Sequence, residues 1–349
     1  MMLHAGLDLS RRRLDYCLLD GRGERVGAGA APPDGDGLAG LVRLVRAEHG
    51  PVSVQAAIES MNGARFVHDT LERLGWQVEV ADAQKVKGLA PLACKTDRID
   101  AWVLAELSRR DLVPAIWLPD PDVRGARERA RWRLHLVRHR TALKNRVHQT
   151  LITFGHSCPV SDLFGTRGRR RLEELAFPEP WKGDVAASLA LIDDLDRRID
   201  ECERQLRQLG ADHPYVKLLV TVPGVAWVLG YTIASEIGEI SRFSSPTKLC
   251  GYTGLCPTVR QSGGKDHRGP LAKNGPKYLR WALIEAAQHA ARSRYYRDRY
   301  EATRRRLGKQ RGPKVARVEV ARELATAIWH MLNKNQPFRP AGAAFCLVA

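Results

Sequence analysis

Four acidic residues and one serine carry most of the chemistry this sequence offers. Asp8 follows the apolar start of "GLDLS", Glu59 follows that of "AAIES", and Asp97 and Asp100 stand three apart in "KTDRIDA". Ser262 lies among glycines and cations in "QSGGKDHRG". Singly, each has a plain structural reading: Asp8 caps a turn, Asp97 caps a helix with Asp100 as its capping partner, and Ser262 is a turn residue. Jointly, the acidic residues form a set of hard oxygen ligands. Carboxylates brought together repel unless a divalent cation neutralises them. Mg²⁺ held this way serves phosphoryl transfer by activating the attacking oxygen and stabilising the leaving one, often as two ions roughly 4 Å apart. Ser262 would then be either a phosphate contact or a nucleophile, since a hydroxyl needs such activation before it attacks.

The elements that must position these residues can be read from periodicity. Leu3–Leu9 and Leu14–Asp20 read as strands joined by a polar turn, and the Gly/Pro/Asp cluster from Gly27 to Gly37 as a loop. Leu38–Glu48 is helical, Val52–Ile58 a strand, Ala64–Leu74 a helix, Val78–Ala81 a strand and Asp97–Arg109 a helix. Two adjacent strands followed by helix–strand alternation predict a mixed sheet covered by helices. That order, with an acidic residue on the first strand and another at the tip of a later one, is the arrangement of the RNase H-like fold.

From Arg124 the pattern turns helical. Arg124–Leu151 places Trp132, Leu136, Leu143, Val147 and Leu151 on one side and crowds the rest with cations, among them Arg127, Arg131, Arg133, Arg138, Arg140, Lys144 and Arg146. After a Gly/Pro-punctuated break, Val185, Leu189, Ile192, Leu195, Ile199, Cys202, Leu206 and Leu209 recur at steps of three and four, a heptad seam. The pair makes either a coiled-coil dimerisation arm or a helical subdomain packed on its own chain. Pro223-Gly224-Val225 links two short helices, either as an ordinary turn or as a hairpin whose N–H groups at Gly224 face a phosphate. Lys277–Arg294 is a helix, Tyr295–Arg311 a Tyr/Arg-rich tract, and Val315–Leu332 the last helix.

The 349 residues carry a formal charge of +17, from 56 basic and 39 acidic side chains. Such an excess points to a polyanionic partner. Arginine outnumbers lysine 43 to 13, through either bidentate phosphate contact or a GC-rich genome. The cysteines Cys17, Cys94, Cys158, Cys202, Cys250, Cys256 and Cys346 include no CxxC pair, so neither a zinc site nor a disulfide framework is indicated. Without a signal-peptide profile or a membrane-length apolar run, a cytoplasmic, soluble protein is expected. A nucleotide P-loop is excluded at Lys265: no glycine lies five residues before Gly264, and Asp266 follows the lysine.

The segments "GLDLS", "AAIES" and "KTDRIDAWVLAEL" resemble the DEDD tetrad of an insertion-sequence transposase family of the IS-one-ten type, the bridge-RNA-guided recombinases. The stretch from Val222 through "QSGGKDHRGPLAKNGPKYLR" is similar to that family's C-terminal transposase domain. The resemblance implies a RuvC-like domain over 1–123, a helical coiled-coil arm over 124–212, and a mainly helical C-terminal domain over 213–349. The fold class expected is therefore α/β plus all-α. It implies Mg²⁺ on Asp8, Glu59, Asp97 and Asp100, and Ser262 as a nucleophile that becomes joined to DNA. It also implies dimers that assemble to tetramers, and a structured bridge RNA that pairs with donor and target DNA. Lys265, Arg268, Lys273 and Arg280 are expected to hold phosphates, with Gly263 and Gly264 giving DNA clearance. Arg138, Lys144 and Arg146 are expected to add contacts from the basic helix. Pro270 and Pro276 depart from the family's pattern after the serine. A site-specific invertase, a junction-resolving nuclease and a basic RNA-binding protein are the rival expectations.

Overall fold

The computed structural model describes residues 2–89, 96–157 and 160–339. Cys94, Lys95, Cys158, Pro159 and Cys346 lie outside the described residues. Two compact units part between Leu118 and Pro119.

The first unit is mixed α/β. Its strands are β1 (Met2–Leu9), β2 (Leu14–Leu19), β3 (Arg25–Ala31), β4 (Ser53–Glu59) and β5 (Gln77–Ala81); its helices are α1 (Gly35–His49), α2 (Ala64–Arg73), α3 (Ala83–Leu89) and α4 (Asp97–Arg109). The sheet order is β3-β2-β1-β4-β5, with β1 antiparallel to β2 and parallel to β4. Alternation along the strands sorts its two faces. Leu3, Ala5, Leu7 and Leu9 share a core with Leu38, Leu41 and Val45 of α1 and Val67 and Leu71 of α2. His4, Gly6 and Asp8 point the other way, toward α4.

One expectation is corrected here. The Gly27–Gly37 cluster is not all loop, because β3 pairs with β2 through Tyr16↔Gly29 and Cys17↔Ala28. Its glycines read as punctuation, yet a side chain at Gly29 would lie 2.7 Å from the Tyr16 hydroxyl, so the bare strand makes room for that ring. The short helix α3 was not foreseen.

The second unit is mostly helical: α5 (Pro121–Thr153), α6 (Thr166–Glu174), α7 (Trp181–Asp212), α8 (Pro214–Leu219), α9 (Trp227–Ile237) and α10 (Pro246–Thr253), then the hairpin β6 (Pro257–Ser262) and β7 (Lys265–Leu271), then α11 (Lys277–Ala290) and α12 (Arg297–Lys334). The expected break after α5 thus contains a helix, α6. The Tyr/Arg-rich tract belongs to α12, interrupted at Gly308 (φ 76°). The two halves of α12 close on each other at Gly312, where a side chain would meet the Arg304 carbonyl at 2.3 Å. α8, α9, α11 and α12 share one apolar core, to which α5 adds Ala130 and α7 adds Leu206.

The seam of α7 is sharper than the sequence suggests. Val185, Ile192, Ile199 and Leu206, seven apart, are buried, whereas Leu209 is 45% exposed. α5 and α7 lie together as an antiparallel pair, crosslinked by Arg133–Glu203, Arg140–Asp196 and Arg146–Asp184. Among the described residues no helix is long and apolar enough to cross a membrane.

Candidate functional site

The carboxylates are positioned by one close approach. A side chain at Gly6 would lie 1.8 Å from the Ala101 carbonyl and 2.4 Å from the Ala105 amide, so α4 rests directly on β1 there. Further back along β1, His4 Nδ1 lies 3.4 Å from Ser108 Oγ on the same helix. Moving forward along β1 therefore moves backward along α4, which brings Asp97 and Asp100 in its first turn to the end of β1 that carries Asp8. Parallel register pairs Leu7 with Ile58, so Glu59 at the tip of β4 is the next neighbour of Asp8 on the same face. Ala57 below it packs with Val103, Leu104 and Leu107 of α4.

Thr96, not Asp97, caps α4: its side chain accepts from the Ile99 amide. Asp97 is thereby released from the capping role that the sequence left open. Both aspartates sit in the first turn, where the helix dipole favours negative charge.

The electrostatics follow the geometry. The Asp8 carboxyl is half-buried and its pKa is pushed up to about 6, first by burial and then by the charges of Asp97, Asp100, Glu59 and Asp15. The last of these was missed in the sequence. Asp15 lies directly across from Asp8 on β2, is 3% exposed, and accepts from Arg13 at 2.6 Å. The strand alternation that selected Asp8 selects Asp15 too, once the antiparallel register is known. Among the described residues, however, no three His, Cys, Asp or Glu side chains stand close enough to ligate one ion. The carboxylates share a field without closing into a coordination shell. Hard oxygen donors crowded around Asp8 suit a divalent cation, which would relieve the repulsion that Asp8 feels.

The serine segment is a strand pair, not a loop. β6 and β7 join through Gly263 (φ 56°) and Gly264 (φ 77°), a two-residue turn with both centres left-handed, the geometry that glycine pairs favour. Ser262 faces Lys265 across the hairpin, and Arg260 faces His267 two pairs further in. Alternation puts Arg260, Ser262, Lys265 and His267 on one face. Arg268 lies on the other, tied to Asp266 at 3.1 Å. Arg260 was not singled out in the sequence; reading the segment as a hairpin finds it.

The remaining cations divide by what they touch. Arg280 donates to the carbonyls of Thr253 (3.2 Å) and Gly275 (3.3 Å), locking the turn before α11. Lys273 has a left-handed backbone (φ 55°) in that turn. A side chain at Gly224 would meet the Ala286 carbonyl of α11 at 2.3 Å, so this glycine serves close packing. On α5, Arg127 and Arg131 surround the fully buried Glu236, Arg131 with two bonds of 2.7 and 3.0 Å. Arg146 bonds Asp184 at 2.6 Å. Much of this basic face is paired: Arg127, Arg131, Arg133, Arg140 and Arg146 each meet a carboxylate that the α5 sequence alone does not show. Lys144 lies over the Phe164 ring at 4.8 Å and Arg138 over Tyr278 at 5.6 Å.

A family model described as Transposase, the DEDD type of IS110, matches residues 5–155. A second, described as Transposase IS116/IS110/IS902 family, matches residues 216–301. The chain is 28% identical over 290 residues to the transposase for insertion sequence element IS1328 of Yersinia enterocolitica, covering 81% of this chain and 84% of that protein. It is 24% identical over 293 residues to the transposase for insertion sequence element IS1111A of Coxiella burnetii, covering 81% of this chain and 78% of the relative. The protein is thus a transposase, an enzyme class that cuts and rejoins DNA. It belongs to the IS110/IS116/IS902 family of insertion-sequence transposases.

Proposed function

We propose that this transposase joins itself to DNA through Ser262, assisted by Mg²⁺ on Asp8, Glu59, Asp97 and Asp100. The observation that carries the reading is the half-burial of Asp8 beside the carboxylates of Asp97, Asp100, Glu59 and Asp15, which together hold its carboxyl at about 6. The strand order of the first unit, antiparallel through β3-β2-β1 and parallel through β1-β4-β5, supports an RNase H-like, RuvC-like fold for it. A divalent cation on these carboxylates would neutralise phosphate charge and stabilise the leaving oxygen.

The chain's own residues do the rest. Ser262 Oγ attacks the scissile phosphorus; the Oγ–P bond forms, the bond to the leaving sugar oxygen breaks, and that oxygen takes up a proton while the serine releases its own to solvent. Attack by the hydroxyl of another strand reverses these changes and restores the serine. Lys265 and Arg260, on the serine's face, offset the charge of the attacked phosphate. Gly263 and Gly264 have no heavy atom within 4 Å of a built side chain, which leaves the turn open to close approach by DNA. The same reading includes a bridge RNA that pairs with donor and target DNA, and homodimers that assemble to tetramers.

The test uses the full chain with the element's terminal DNA, its flanking RNA and Mg²⁺. A denaturation-resistant protein–DNA adduct is expected, and Ser262→Ala should abolish it. An adduct that survives this substitution removes the nucleophile assignment. Cleavage without adduct indicates a junction-resolving nuclease, and neither product indicates a nucleic-acid-binding protein. An adduct formed without RNA favours an invertase-like recombinase.

A further inference from the structure

Trp132 is expected on the apolar side of α5, yet it lies 49% exposed. One face of its indole is stacked on His135, with ring centroids 5.4 Å apart and planes at 21°. The exposed area therefore belongs to the other face and the ring edges. Trp132 borders an open pocket of about 520 Å³ lined also by Glu128, Arg131, His135, Lys277 and Tyr278.

The charges around this ring are organised by Tyr278. Arg131 lies over that phenol at 4.9 Å, Lys277 at 5.1 Å and Arg138 at 5.6 Å. The charge of Arg131 is answered by buried Glu236. Lys277 and Arg138 are exposed and supply the positive field of the pocket. Glu128 is the carboxylate among the lining residues and repels phosphate, so a polyanion must run along the Arg138–Lys277 side.

We propose that Trp132 is a stacking platform for an unpaired nucleobase, whose flanking phosphates lie on Arg138 and Lys277. An aromatic face beside exposed cations is what single-stranded nucleic acid requires. Every base has a π-face to stack, and its backbone carries charge that a positive groove follows. A duplex offers no such base, because its faces are covered by their neighbours. The strand can be DNA or RNA, since stacking and phosphate contact are common to both. This inference rests on the transposase reading for the presence of unpaired strands, but not on Ser262 chemistry.

The experiment is fluorescence anisotropy of the full chain with labelled single-stranded DNA, single-stranded RNA and duplex DNA of one sequence, at fixed salt without Mg²⁺. Trp132→Ala is expected to weaken single-strand binding on the order of tenfold and to leave duplex binding nearly unchanged, while Trp132→Phe keeps most of the affinity. Loss confined to the DNA or the RNA arm identifies which strand occupies the platform. Arg138→Gln with Lys277→Gln should shallow the salt dependence of binding. Unchanged single-strand affinity in Trp132→Ala, or an equal loss for duplex, overturns the proposal; so does a change confined to oligomeric state, which would make Trp132 a protein contact. Because no strand is cut here, failure of this assay and failure of the Ser262 adduct assay are separate results.

Discussion

The carboxylate end of the sheet and the serine hairpin are built on opposite terms. Around Asp8, position is enforced by packing: a helix backbone rests on Gly6, and apolar residues of β2, β4, β5 and α4 fill the space behind. Around Ser262, every residue from Thr258 to Pro270 is exposed, and the hairpin is held by its own ladder and turn. Groups proposed to share one ion would have to be fixed relative to each other, and that takes a core. A serine proposed to reach a duplex would gain from standing clear of one. Local stability differs accordingly between packed elements and solvated strands.

The largest way to break this contrast is at Gly6. Gly6→Val puts side-chain atoms where the α4 backbone now lies, and overpacking of this kind costs about 3 kcal/mol. The expected outcome is a clear loss in denaturant midpoint for the sheet unit, with α4 displaced from Asp8 and strand cleavage lost. If midpoint and cleavage both survive, α4 is not what positions Asp97 and Asp100.

A smaller effect, of opposite sign, is expected at Asp8. Its carboxyl is held at about 6 against an ordinary 3.8, so the folded chain binds this proton more tightly than the unfolded chain does. Ionisation therefore opposes folding: the penalty is absent below about pH 4, grows as pH rises through about 6, and is full above it. In metal-free buffer, Asp8→Asn should stabilise the protein at neutral pH, by on the order of 1 kcal/mol once solvent screening of a half-buried group is allowed for. The gain should fade at about pH 4, and the variant should be inactive. Destabilisation at neutral pH would sink the crowding that the site reading depends on.

The same contrast decides what the sequence could tell. Buried strands declare themselves through apolar alternation, and α4 runs over Asp97–Arg109 as its pattern predicts. Asp8, Glu59, Asp97 and Asp100 are found because each stands at the end of such a pattern. Asp15 is not, because its role depends on which residue lies across the sheet. Likewise the cations of α5 read as one basic face until Glu203, Asp196, Asp184 and Glu236 arrive from distant segments to pair with them. Trp132 fails for a related reason, since helical phase alone does not say which side of α5 its neighbours cover. The hairpin hid behind its composition: Gly-Gly, Lys and Arg look like a loop, and only the cross-strand register separates Arg260 and Lys265 from Arg268.

The smallest effect expected belongs to the hairpin turn. Gly264 has φ 77° and open space around it, so Gly264→Ala meets no clash and costs only the left-handed backbone, about 1 kcal/mol. Because the hairpin carries little of the core, that cost should fall on β6 and β7 alone. Amide exchange should quicken between Val259 and Arg268, while the global denaturation midpoint stays within error. Gly6 and Gly264 thus separate two reasons for a glycine, room for a neighbour and freedom of φ. A drop in global midpoint for Gly264→Ala would show that the serine hairpin is packed into the second unit after all, and the contrast with the sheet would fail there.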